Sequence, residues 1–95
     1  MHCEPINAPI DILCNFIAPR RIGRVLHPAR VVPIKFYWSN REYVVREIIK
    51  AMTLHPRPGV KELNFAIRSD SSDVFHIAYN SKQDSWTLKS VTMEG

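Results

Sequence analysis

The chain has 95 residues, of which 45% are apolar and 23% charged, and a formal net charge of +4. That is an ordinary globular composition over a length suited to one domain spanning residues 1–95. It contains no unbroken apolar run of roughly 18 residues, so a helical membrane span is excluded. The start, Met1-His2-Cys3-Glu4-Pro5-Ile6-Asn7, lacks the basic and apolar regions of a secretory signal. The two cysteines, Cys3 and Cys14, are too few for a disulfide scaffold. A reduced cytoplasmic setting, with no membrane partner, is the expectation.

In chain order, residues 1–8 read as a frayed lead-in, because Pro5 and Pro9 oppose regular structure. Ile10, Ile12, Cys14 and Phe16 then alternate with Asp11, Leu13 and Asn15, predicting a first strand over residues 10–17. Pro19-Arg20-Arg21 breaks it. Ile22 to His27, around Gly23, suggests a short second strand, and Pro28 ends it. Pro33 opens the densest apolar stretch as an edge or first-residue proline. There Ile34, Phe36 and Trp38 alternate with Lys35 and Tyr37, the period of a strand with one face inward.

The segment from Ser39 to Leu54 supports two readings. As a hairpin, Ser39-Asn40 forms the tip, with Asn40 at positive φ, Phe36 facing Tyr43 and Ile34 facing Val45. The returning strand then needs a bulge near Glu47 to keep both Val45 and Ile48 inward. As a helix over residues 40–53, Ser39 and Glu42 make a capping box, and Val44, Val45, Ile48, Ile49 and Met52 fall on one face. Periodicity favours the helix. The stiff and bulky residues Tyr43, Val44, Val45, Ile48, Ile49 and Thr53 favour the strand.

Beyond Leu54, His55-Pro56-Arg57-Pro58-Gly59 reads as a loop. Leu63, Phe65 and Ile67 alternate; Asp70-Ser71-Ser72-Asp73 turns; Phe75, Ile77 and Tyr79 alternate; residues 81–84 turn; Trp86 and Leu88 follow, with Val91 close by. Pairing Tyr79 with Trp86 and Ile77 with Leu88 makes an antiparallel meander, and residues 92–95 form a tail. The expected class is all-β: one small antiparallel meander or open barrel of five to seven short strands, SH3-like or OB-like, with α+β as the alternative if residues 40–53 are helical. The predicted core is Ile34, Phe36, Trp38, Tyr43, Val45, Phe65, Ile67, Phe75, Ile77, Trp86 and Leu88.

Pro33, Phe36, Trp38, Arg41, Tyr43 and Val45 make a Pro-x-x-Phe-x-Trp-x-x-Arg-x-Tyr-x-Val string, and Trp86-Thr87-Leu88 a closing Trp-x-Leu. Over residues 10–91 this resembles a family of small bacterial domains of unknown function. Some of their apparent relatives sit beside, or fused to, Y-family error-prone DNA polymerases. The resemblance implies a compact all-β unit and so favours the hairpin. Where many members have Gly-Arg, this chain has Asn40-Arg41, which a tight turn accepts. The motif is made of core-type residues and implies no catalytic or binding residue.

Charge distribution points furthest toward function. No Asp or Glu occurs from Ile12 to Arg41, an interval that holds Arg20, Arg21, Arg24, Arg30, Lys35 and Arg41. Guanidinium forks suit phosphate, and alternation turns Tyr37 outward with Arg46 as its expected neighbour. Cations along a backbone with a ring for stacking are what single-stranded nucleic-acid grooves use. The candidate nucleic-acid-binding set is therefore Arg20, Arg21, Arg24, Arg30, Lys35, Tyr37 and Arg46. The competing readings are a merely solvated basic face, an acidic protein partner, or a structural or interaction module that forms a homodimer through an uncovered strand edge.

Other chemistry finds little footing. His2, Cys3, Cys14 and His27 lack a Cys-x-x-Cys knuckle or paired histidines, so no metal site is expected. Ser71, Ser72, Asp73 and His76 are close in sequence, but a triad is a matter of geometry, and Asp-Ser-Ser-Asp suits a turn. Phosphate-cradling glycine loops and close carboxylate pairs are missing, so neither an enzyme nor a cofactor is expected.

Overall fold

A computed structural model of the chain describes residues 2–27 and 30–93, without the side chains of His2 and His27. Its strands are β1 (His2–Pro9), β2 (Asp11–Ile17), β3 (Arg20–Ile22), β4 (Val25–His27), β5 (Arg30–Trp38), β6 (Arg41–Arg57), β7 (Val60–Ser69), β8 (Val74–Asn80) and β9 (Ser85–Met93). Seven of them form one antiparallel sheet in the order β1-β9-β8-β7-β6-β5-β2, and β3 and β4 form a separate hairpin. The all-β antiparallel class is as expected. Only Ile10 separates β1 from β2, so the chain itself joins the two outer strands at one corner. The sheet curls without closing into a barrel, because its outer strands β1 and β2 do not pair with each other among the described residues. Within it, β5 and β6 pair only from Lys35↔Val44 to Trp38↔Arg41 and then part.

The organising hairpin turns at Ser39 and Asn40, both at positive φ (54° and 61°). That is the type I′ geometry whose twist matches the flanking strands. Phe36 faces Tyr43 as predicted, but Ile34 does not face Val45, which pairs instead with Ser69 of β7. No helix forms over residues 40–53. β6 runs as a 17-residue strand with irregularities between Val45 and Glu47, Ile48 and Lys50, and Leu54 and Arg57. Each irregularity takes residues out of alternation. Apolar positions thus drift from a spacing of two toward the three-to-four spacing of a helix, which explains the ambiguity of Val44 to Met52.

Four other expectations change. Residues 2–8 are not frayed: β1 pairs with β9 from His2↔Met93 to Pro9↔Thr87. As an outer strand with an irregularity between Pro5 and Ala8, β1 tolerates both prolines. For the same pairing reason Thr92 and Met93 belong to β9 rather than to a tail, while residues 94–95 lie outside the described residues. Residues 22–27 are not one strand but part of the β3–β4 hairpin, which reverses at Gly23 (φ 62°). Residues 55–57 continue β6. The chain then reverses through Pro58-Gly59, with Gly59 at φ 79° and Arg57 facing Val60; Pro first and a positive-φ Gly second suit a type II turn.

The meander behaves as predicted, with Tyr79↔Trp86 and Ile77↔Leu88 in register. Its first turn is closed by the Ser72 amide donating to Ser69 O at 3.1 Å. In the second, Asn80 Oδ1 accepts from the amides of Lys82 (2.9 Å) and Gln83 (3.0 Å). The core gathers Phe36, Tyr43, Phe65, Ile67, Phe75, Ile77, Leu88, Ile10 and Val91, with Trp38, Val45 and Trp86 half-buried against it. Phe36 stacks on Tyr43 (centroids 5.1 Å, 13°) and meets Phe75 edge-on (5.1 Å, 69°). Ile34 is displaced from the core. The β2–β5 register steps from Leu13↔Lys35 to Cys14↔Pro33, so Ile34 is the extra residue and Pro33 is buried instead.

One polar cluster ties the meander together. Lys89 Nζ lies 2.6 Å from Glu62 Oε1, which also accepts from Asn64 Nδ2 at 3.0 Å. The Lys89 hydrogen bond, then that of Asn64, holds the Glu62 carboxyl below its usual 4.5. A depressed folded-state pKa stabilises the fold fully above the unfolded value, and that stabilisation is lost as pH falls through the folded value. Glu62→Gln is therefore expected to lower the melting temperature at pH 7 and to converge with wild type once the pH has fallen below the folded-state value. Parallel melting curves across that range would contradict the assignment.

Candidate nucleic-acid interface

The seven residues singled out in the sequence fall into separate groups. Arg20 and Arg21 lie on β3 and Arg24 in the turn that follows; every residue from Arg20 to Leu26 is exposed. The hairpin leaves the sheet where β2 ends and β5 begins, next to the facing pair Ile17↔Arg30. Arg20, Arg21, Arg24 and Arg30 thus belong to one end of the molecule. Tyr37 is seven residues further along β5, about 23 Å at the rise of an extended chain.

At that far end the neighbourhood is not basic. Tyr37 faces Glu42 across the hairpin and Asp11 on β2. Its hydroxyl donates to Glu42 Oε1 at 3.1 Å, and Lys35 Nζ sits 2.7 Å from the same oxygen. The Lys35 ammonium is raised above its ordinary value by its hydrogen bond to Glu42, and the Glu42 carboxyl is lowered by the reciprocal bond. Tyr37 is exposed as predicted, but its neighbour is Glu42 rather than Arg46. Arg46 is exposed on β6 at the first bulge, next to Glu47, which pairs with Arg68 at 3.3 Å.

The ring that does stand beside one of these arginines, Arg30, is Phe16. Alternation places it on the inner face of β2, but the sheet has opened there, and Phe16 is 69% exposed. It faces Val31 and lines a cleft of about 560 Å³ between the β2–β5 and β6–β7 arms. Val31, Val32, Leu63 and Phe65 supply apolar lining, Arg30 and Lys61 supply charge, and no carboxylate lines it. Phe16 and Lys61 were not legible as site residues. The spacing of Ile12, Cys14 and Phe16 fixes a face, whereas the parting of β5 from β6 depends on the bulges of β6.

Burial pushes the half-buried Cys14 thiol up, which disfavours the reactive thiolate. Ser71 Oγ bonds Ser69 and Asp73 within the turn, while His76 lines a shallow groove with Lys50, Met52 and Leu54. Among the described residues no group of three His, Cys, Asp or Glu is placed to hold a metal ion. No described helix is long and apolar enough to cross a membrane. The chain matches no protein-family model, no curated protein and no solved structure.

Proposed function

We propose that the protein binds single-stranded nucleic acid at the end formed by the β3–β4 hairpin and the adjoining cleft. The observation that carries this reading is the exposed Phe16 ring in a carboxylate-free cleft beside Arg30, with Arg20, Arg21 and Arg24 on the neighbouring hairpin. Phosphates meet the guanidinium groups, and a base stacks on the ring; every base has a π-face, so little sequence preference is expected. Tyr37 has no part, because its hydroxyl and the adjacent ammonium are engaged by Glu42. The resemblance of the Pro33-to-Val45 string to small domains, some of whose apparent relatives sit beside or fused to DNA polymerases, leans the same way.

The test is fluorescence anisotropy with a labelled oligothymidine at low salt. Wild type is expected to bind in the micromolar range. Phe16→Ala should weaken binding about 5- to 160-fold, the worth of one stacked base at about 1–3 kcal/mol. Tyr37→Phe should bind as wild type does. Equal affinity for Phe16→Ala and wild type, or no binding at low salt, would reject the reading and favour an acidic protein as the hairpin's partner.

A further inference from the structure

We infer that the protein forms a homodimer in which the free edge of β6 pairs antiparallel with the same edge of a second copy, about a two-fold axis near Met52. This edge lies outside the hairpin but borders the adjoining cleft, which Ile48, Ala51 and Thr53 of β6 also line. A second copy seated there competes with a nucleic-acid strand for the cleft and leaves the hairpin arginines uncovered. β6 gives its first residues, Arg41 to Val44, to β5, and the rest, from Val45 to Arg57, to β7 alone. Along that second stretch the edge away from β7 has no partner strand among the described residues. All residues from Arg46 to Gly59 are exposed, including Ile48, Ile49, Met52 and Leu54. A long apolar edge of this kind is a template for another strand.

The size of the exposed surface agrees with a missing partner. A compact monomer of 11.0 kDa exposes roughly 5,600 Å², whereas this chain exposes 6579 Å². The excess, on the order of 1,000 Å², is comparable with the ~800 Å² per partner that a stable interface covers. The radius of gyration, 14.3 Å against about 12.4 Å for a compact chain of this length, shows the same extension.

Self-complementarity selects a second copy as the occupant. Between its irregularities β6 is regular only from Lys50 to Leu54, where each residue faces its β7 partner in step. Met52 is the midpoint of that run. A two-fold axis there sets Lys50 opposite Leu54, Met52 opposite itself, and Glu47 opposite Arg57. The single acid of the exposed stretch, which also holds Arg68 of its own chain at 3.3 Å, thereby comes up to the cation at the far end of the other copy, twice over. An isologous interface requires such a pattern.

A residue on a two-fold axis meets its own copy, which gives a diagnostic test. Wild type in sedimentation equilibrium at about 100 μM is expected to have twice the chain mass. Met52→Asp and Met52→Lys should each run as monomers with unchanged circular dichroism, because each sets like charges opposite one another. An equimolar mixture of the two should regain the dimer mass. A monomeric wild type, a dimeric Met52→Asp, or a mixture that stays monomeric would each overturn the arrangement. Amide exchange on wild type alone provides a check independent of the variants' folding: Lys50 to Leu54 should gain protection with rising protein concentration, and concentration-independent exchange there would also overturn it.

Discussion

Phe36→Ala is expected to destabilise the fold by about 3–5 kcal/mol, the usual cost of deleting a buried phenyl ring. A chain of this length has a total stability of only about 5–14 kcal/mol, so the variant should be marginal at room temperature. Phe36 is fully buried, stacked on Tyr43 and abutted by Phe75, and Trp38 packs against the same pair. The surrounding rings come from β5 and β6, the two arms of one hairpin, and from β8 of the meander, so collapse into the void would require several strands to move together. At about 4–8 °C per kcal/mol, the melting temperature should fall by at least about 12 °C. Tyr37→Phe, one residue along on the solvent side, should shift it by little more than the error. A small loss for Phe36→Ala would mean that the aromatic cluster is not the centre of the core.

What could be read in the sequence was whatever period two and turn chemistry govern together. Leu63, Phe65, Ile67, Phe75, Ile77, Tyr79, Trp86 and Leu88 alternate without interruption, and the meander follows in register. Bulges hide the rest. Ile34 and Pro33 exchange places in the core because one residue is extra opposite Cys14, and nothing local in the sequence marks which residue that is. β1 was obscured by Pro5 and Pro9, which argue against a central strand but not against an outer one. The candidate site suffers most. The charge run places Arg20, Arg21, Arg24 and Arg30 at one end, but it runs on to Lys35 without a break, and alternation turns Tyr37 outward without saying at which end it stands. Along a strand, seven residues are enough to separate two surfaces.

That separation makes the salt dependence of binding the sharpest measure of the proposed interface. Each phosphate neutralised on a single strand contributes about 0.7 to the slope of log affinity against log salt. Engagement of Arg20, Arg21, Arg24, Arg30 and Lys61 would give a slope near −3.5. Affinity should then fall about one-hundred-fold between about 50 and 200 mM salt. The triple variant Arg20→Ala, Arg21→Ala, Arg24→Ala removes three of those contacts from a hairpin whose residues from Arg20 to Leu26 are exposed, so the core should be untouched and the melting temperature kept. Its slope should flatten to about −1.4, and its affinity should fall only about seven-fold over the same interval. Lys35→Ala serves as the counterpart, because its ammonium is already held by Glu42 and its loss should leave the slope where it was. If the triple variant keeps the wild-type slope, the phosphates lie elsewhere. If Lys35→Ala flattens it as much as the triple variant does, both ends of β5 contact the strand, and the interface is a groove along the whole strand rather than a patch at its beginning.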